Sequence, residues 1–81
     1  MIKCISLDNL NIITFIEESP SELGEPDCKL INPYLIKSNL SLEPWLYEIT
    51  EQTTFMISSD KIITISDPRK ELLEKYQELI K

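Results

Sequence analysis

The chain has 81 residues, with 14 acidic and 8 basic side chains, a net charge of −6 and no histidine. That length supports one domain, and a domain of this size buries only roughly 60% of its unfolded surface, so it gains from dense packing or from a partner. The lack of histidine excludes Ser-His and Cys-His catalysis and the commonest metal ligand, the single glycine excludes a phosphate loop or a nucleophile elbow, and the acidic excess argues against broad non-specific nucleic-acid binding.

Hydrophobic residues make up 42% and charged residues 27%, the balance of a folded globular chain. Apolar runs such as Ile12-Ile13 are far too short to span a membrane, and the N-terminal apolar stretch is too short for a signal peptide. The expected compartment is the cytoplasm. Cys4 and Cys28 have no zinc spacing, and in the cytosol they read as free buried thiols. Thirteen isoleucines and eleven leucines stand beside no valine and no alanine. Isoleucine is stiff at its branched carbon, so this core leans toward strands.

In chain order, residues 2–7 form a first strand, with Ile5 and Leu7 on one face and Ile2 and Cys4 on the other. Asp8-Asn9 supplies a tight turn. Residues 11–17 form a second strand in which Ile12 and Ile16 face one way and Ile13 and Phe15 the other. Two apolar faces imply that both are covered. Residues 19–26 hold two prolines, two serines and the only glycine, and read as a loop. A third strand starts near Asp27, and Pro33 marks an edge, bend or bulge before Tyr34-Leu35-Ile36-Lys37. Leu42–Tyr47 is aromatic and proline-kinked, an extended segment lying across the sheet. Thr53–Ser58 and Lys61–Ser66 read as two strands of an antiparallel hairpin around Ser59-Asp60. Asp67 then caps a helix over about residues 68–80 with Pro68 in its first turn. Leu72, Leu73, Tyr76, Leu79 and Ile80 form its apolar stripe, and Glu71 lies one turn from Lys75.

No motif carries catalytic or metal chemistry. Glu17 and Glu18 are adjacent on a strand and point to opposite faces. Trp45, Tyr47 and Tyr34 could stack bases, but Glu43 and Glu48 flank the first two, which favours packing. Lys61 is the one basic group on the hairpin turn.

Taken together, these segments resemble the Sm-like (LSm) proteins, in particular the divergent set of T4-like cyanophages. The matching residues are Lys3-Cys4-Ile5-Ser6-Leu7 with Ile12-Ile13 and Ile16-Glu17-Glu18 in a first hairpin. They continue through Ile31-Asn32-Pro33-Tyr34-Leu35-Ile36, then Leu42, Pro44 and Trp45, then Phe55-Met56-Ile57 with Lys61-Ile62-Ile63. Pro68, Leu72 and Tyr76 resemble the helix. The resemblance implies a mainly β fold: a five-stranded antiparallel, SH3-like barrel over about residues 1–66 with one C-terminal helix, all one domain over 1–81. It further implies a homo-oligomeric ring in which the fourth strand of one subunit pairs with the fifth of the next, here through Phe55, Ile57, Ile63 and Ile65. Such rings bind RNA at their pores, and Lys61 is the residue placed nearest a binding position. Two departures stand out. The helix follows the barrel instead of preceding it, and Ser58-Ser59-Asp60-Lys61 lacks the family's arginine–glycine pair. The expected function is a non-enzymatic ring protein acting on RNA, without cofactor, catalytic residue, metal or membrane. The alternative is a protein-interaction or virion-associated structural module with no nucleic-acid role and a partner protein of unknown identity.

Overall fold

The computed structural model describes residues 1–18 and 25–81. Its elements are β1 (Ile2–Leu7), β2 (Leu10–Glu18), β3 (Cys28–Ile36), β4 (Leu42–Pro44), β5 (Thr54–Ile57), a 3-10 turn (Ser59–Lys61), β6 (Thr64–Ser66) and α1 (Lys70–Leu79). The fold is a mainly β antiparallel sheet with one C-terminal helix. Of the loop expected at 19–26, only Glu25 and Pro26 lie among the described residues.

β1 and β2 form a hairpin through Asp8-Asn9, and Asn9 takes the left-handed angle (φ 64°) that the turn requires. The sheet runs β4-β3-β2-β1-β6, and β5 also pairs with β3. β4 pairs with residues 34–36 of β3, and β5 pairs with residues 28–31, so two short strands share one edge of a long one. The extended segment expected at Leu42–Tyr47 therefore contributes a sixth strand, with Pro44 placed on a sheet edge where its missing N–H costs least.

The switch from one neighbour to the other happens at a bulge. Between the pairs Ile13↔Tyr34 and Phe15↔Ile31, β2 advances two residues while β3 advances three. Pro33 has no N–H to give the ladder, and Asn32 turns into the left-handed region (φ 51°), which asparagine tolerates better than other side chains. The freed backbone groups find other partners. Asn32 N–H donates to Thr53 O at 2.8 Å, and Trp45 N–H donates to Pro33 O at 2.9 Å. The hydroxyl of buried Thr14 donates to Ile31 O at 3.0 Å.

Both faces of the sheet are covered, as the doubly apolar β2 implies. Ile5, Ile12 and Leu30 form the inner core, with Ile16, Leu35, Trp45, Ile57 and Ile62 against it. Ile13 heads the outer core, where Leu72 and Tyr76 of α1 pack with Cys4, Tyr34, Leu42 and Ile80. Neighbouring residues Ile12 and Ile13 are both fully buried, one in each layer. Of the expected stripe on α1, Leu72, Tyr76 and Ile80 are used, Leu73 is half-buried and Leu79 is exposed.

Three expectations need correction. The sheet is not closed into a five-stranded barrel, because β5 and β6 do not form a hairpin. β5 lies on the β3 edge, while β6 pairs with β1 through Cys4↔Ser66, Ile5↔Ile65 and Ser6↔Thr64. A two-residue hairpin turn favours positive φ at its centre, usually from glycine, and Ser59-Asp60 has none. The chain instead makes a 3-10 turn, with Lys61 N–H on Ser58 O and Ile62 N–H on Ser59 O, which carries it from one sheet edge to the other. The helix also starts later than expected. Asp67 follows a strand residue paired with Cys4, so it lies beside Lys3 and its carboxylate accepts from the Lys3 ammonium. Arg69, still extended, is the N-cap and supplies no side-chain bond. Lastly, Lys75 does not pair with Glu71 but donates to Leu40 O at 3.2 Å. Among the described residues, no helix is long and apolar enough to cross a membrane.

The Tyr76 hydroxyl joins helix to bulge. It accepts from Phe15 N–H at 3.1 Å and donates to Asn32 O at 2.9 Å. Burial pushes its pKa up, so it stays protonated and able to donate. Tyr76→Phe keeps the ring but strands the Phe15 N–H and the Asn32 carbonyl. The expected cost is about 1–3 kcal/mol of folding stability, read from chemical denaturation midpoints.

Candidate assembly interface

β5 pairs on one side with β3, and β6 pairs on one side with β1. Each presents its other edge unpaired among the described residues, and the two edges lie at opposite ends of the sheet order. Unpaired strand edges offer rows of N–H and C=O groups that can template another chain. The register places three of the four expected interface residues on a common face. Phe55 lies opposite Leu30, and Ile57 opposite Cys28. Ile65 lies opposite Ile5, whereas Ile63 lies just before β6. Phe55, Ile57 and Ile65 belong to the inner face.

They are not equally free. Phe55 is half-buried and meets Trp45 edge-on, with ring centroids 5.7 Å apart. Ile57 is half-buried against the inner core. Ile63 and Ile65, by contrast, are 69% and 54% exposed. They line a groove of about 640 Å³ beside β6, floored by Ile16, Cys28 and Ile62 and reached also by Lys3 and Glu18. Burial, then the charges of Asp27 and Glu18, raise the pKa of the Cys28 thiol, so it is a poor nucleophile. Cys4 is half-buried, and burial raises it too. Both cysteines are free.

Lys61 closes the 3-10 turn and is exposed, next to the exposed Asp60. Trp45, Tyr47 and Tyr34 do not form a platform. Trp45 packs on the inner core, while Tyr34 meets Tyr76 in the outer core at 5.8 Å and 83°. Tyr47 is exposed and hydrogen-bonded to Glu43, which raises the Tyr47 pKa. Glu43 also accepts from Lys37 at 2.5 Å, and that bond holds its carboxyl below the usual range. No three His, Cys, Asp or Glu side chains cluster to hold a metal among the described residues.

Sequence reasoning missed one contact at this interface. Asp27, just before β3, accepts Ser59 N–H on one carboxylate oxygen at 2.6 Å and the Ser59 hydroxyl on the other at 2.7 Å. The partners are 32 residues apart, so no local pattern could have signalled it.

A family model described as a family of unknown function (DUF6561) matches residues 1–81. No curated protein matches the chain.

The Ser59 hydroxyl and N–H hold the Asp27 carboxyl below its ordinary pKa. Its folded pKa being the lower one, its contribution to stability is fully present above the ordinary carboxylate range. It is lost as acid takes the pH below about 4 and protonates the folded-state group. Ser59→Ala is expected to make the acid limb of the stability–pH curve shallower, measured by thermal unfolding across that range.

Proposed function

As the chain belongs to DUF6561, a family of unknown function, we propose its role from its own geometry: a non-enzymatic, Sm-like module that assembles edge to edge with copies of itself. In this reading β5 of one copy pairs with β6 of the next, and the series closes into a ring. The observation that carries it is the separation of these two strands. Among the described residues each is hydrogen-bonded on one side only, and they sit at the two ends of one sheet. A surface that joins a different surface on its neighbour gives a head-to-tail contact, which ends in a ring when the rotation closes. Pairing β6 with a neighbour also covers Ile63 and Ile65, and the contact area supplements the small core of an 81-residue chain.

RNA binding in this proposal runs through Lys61, which every copy presents on its exposed turn. With a net charge of −6, that contact is local to the turns and not spread over the surface. A second reading is a protein-interaction or virion-associated module without nucleic acid. It is favoured by Tyr47 and Ile49, which stand 53% and 77% exposed in the connection between β4 and β5.

Native mass spectrometry and light scattering at low micromolar concentration test the assembly. The expected result is a single species of several subunits. Ile65→Lys is expected to release monomers while changing folding stability by no more than about 0.5 kcal/mol, as for other exposed positions. A monomeric wild type overturns the proposal. Lys61→Ala is expected to leave the mass unchanged and to weaken RNA retention, whose affinity in the wild type falls steeply with salt. An assembled protein that retains no RNA leaves the second reading in place.

A further inference from the structure

We propose that the pocket at the β4–β5 connection docks a partner protein through one arginine side chain set beside an apolar residue. This rests on the protein-interaction reading above, names the chemistry of its partner, and does not depend on edge-to-edge assembly.

The connection holds a surface in place. Leu46 takes the left-handed region (φ 64°), which a residue other than glycine adopts at a cost. Ile49 N–H and Thr50 N–H both donate to its carbonyl, at 3.0 and 3.1 Å, and close the turn on itself. At the base of the turn, Trp45 N–H donates to Pro33 O, and the indole meets Phe55 edge-on. The turn is thereby tied to the sheet while Tyr47 and Ile49 stay exposed. Beside them lies a hollow of about 240 Å³ with an apolar wall of Leu35, Pro44 and Ile49 and a polar one of Glu43, Tyr47 and Glu48. Pockets that hold a whole small-molecule ligand run to roughly 300–1,000 Å³, so this hollow suits a single inserted side chain.

Charge selects that side chain. Residues 38–60 carry Glu43, Glu48, Glu51 and Asp60 and no lysine or arginine. Glu43 is met by Lys37 and accepts from the Tyr47 hydroxyl. Glu48 forms no ion pair among the described residues. One carboxylate therefore stands uncompensated beside an exposed tyrosine and an apolar wall. A cationic side chain with a long aliphatic stem satisfies all three, its stem along the wall and its head at the carboxylate and the ring. Arginine does so better than lysine, because its planar guanidinium stacks on aromatic rings, forks onto carboxylates and is more weakly hydrated. Ile49, at the rim, is left to meet an apolar neighbour of that arginine. The same acidic rim repels phosphate groups, which sets aside nucleic acid and an anionic membrane as occupants.

Trp45 is the only tryptophan and lines the pocket, so its fluorescence reports occupancy. The probe is a blocked pentapeptide with arginine at its centre, leucine on both sides and serine at each end, compared with its glutamine analogue. Backbone amide NMR shifts are mapped in parallel. The expected result is a saturable change in Trp45 emission with shifts centred on residues 43–49 for the arginine peptide, and no saturable change for the glutamine one. Glu48→Gln is expected to weaken binding by roughly two- to fivefold, the worth of one exposed ion pair, and to flatten its salt dependence. Ile49→Ser is expected to weaken it as well. Glu51→Gln removes the same charge from a residue outside the pocket and is expected to leave the affinity unchanged. All three positions are exposed, so thermal unfolding is expected to match the wild type. Equal affinity for the two peptides, or equal losses in Glu48→Gln and Glu51→Gln, overturns the arginine pocket and leaves the protein-interaction reading standing. No response to either peptide overturns the proposal and removes the support that Tyr47 and Ile49 lend that reading. Shifts at residues 43–49 that follow protein concentration without peptide assign the pocket to a second copy, and overturn the proposal too.

Discussion

The hydroxyl of Tyr76 occupies the point where the sheet's hydrogen bonding breaks. At the bulge in β3, one residue too many faces β2, and Pro33 brings no N–H. There Phe15 N–H and Asn32 C=O both turn to one side-chain hydroxyl. Their common partner comes from α1, on a side chain that is itself fully buried. A buried polar group without a partner costs far more than a paired one gains, so this single oxygen decides whether the bulge is tolerable. The bulge in turn decides the rest. It divides the outer edge of β3 between β4 and β5, which places β5 at the end of the sheet remote from β6.

Much of this was legible in the sequence where the signal is local. The paired isoleucines of β2 announced two buried layers, and Ile12 and Ile13 fill one each. Pro33 announced a break in its strand, and the spacing of Leu72, Tyr76 and Ile80 announced the buried face of the helix. The failures occur where long-range pairing competes with local pattern. Ser59-Asp60 between two apolar runs reads as a hairpin, yet β1 outcompetes β5 for Thr64–Ser66. Asp67 before Pro68 reads as a helix cap, yet Lys3, 64 positions away, takes its carboxylate. The same limit applies to the candidate interface. Its apolar residues show in the strand alternation, whereas Asp27, the groove floor and the exposure of Ile63 depend on which edges meet in space.

The two edges also carry restraints. β6 is only three residues long, and its approach passes Asp60 and Lys61, both exposed and opposite in sign. Short strands and flanking charges are the usual means by which a sheet edge limits indiscriminate pairing. The overall charge of −6 adds a general repulsion between chains that only a well-matched edge overcomes.

The threading of the chain has a kinetic consequence. The groups that complete the sheet come late: Thr64–Ser66 closes onto the first strand, and Tyr76 reaches back 61 positions to Phe15. Folding of such non-local topologies is slow for their size, in the range of milliseconds to seconds, because distant segments must meet before any contact rewards them. Until then β1 lacks its outer neighbour and the β2–β3 irregularity lacks its hydroxyl. A chain caught at that stage exposes isoleucine-rich strands with no partner of its own to offer them. Its fate then depends on concentration and on whatever shields nascent strands.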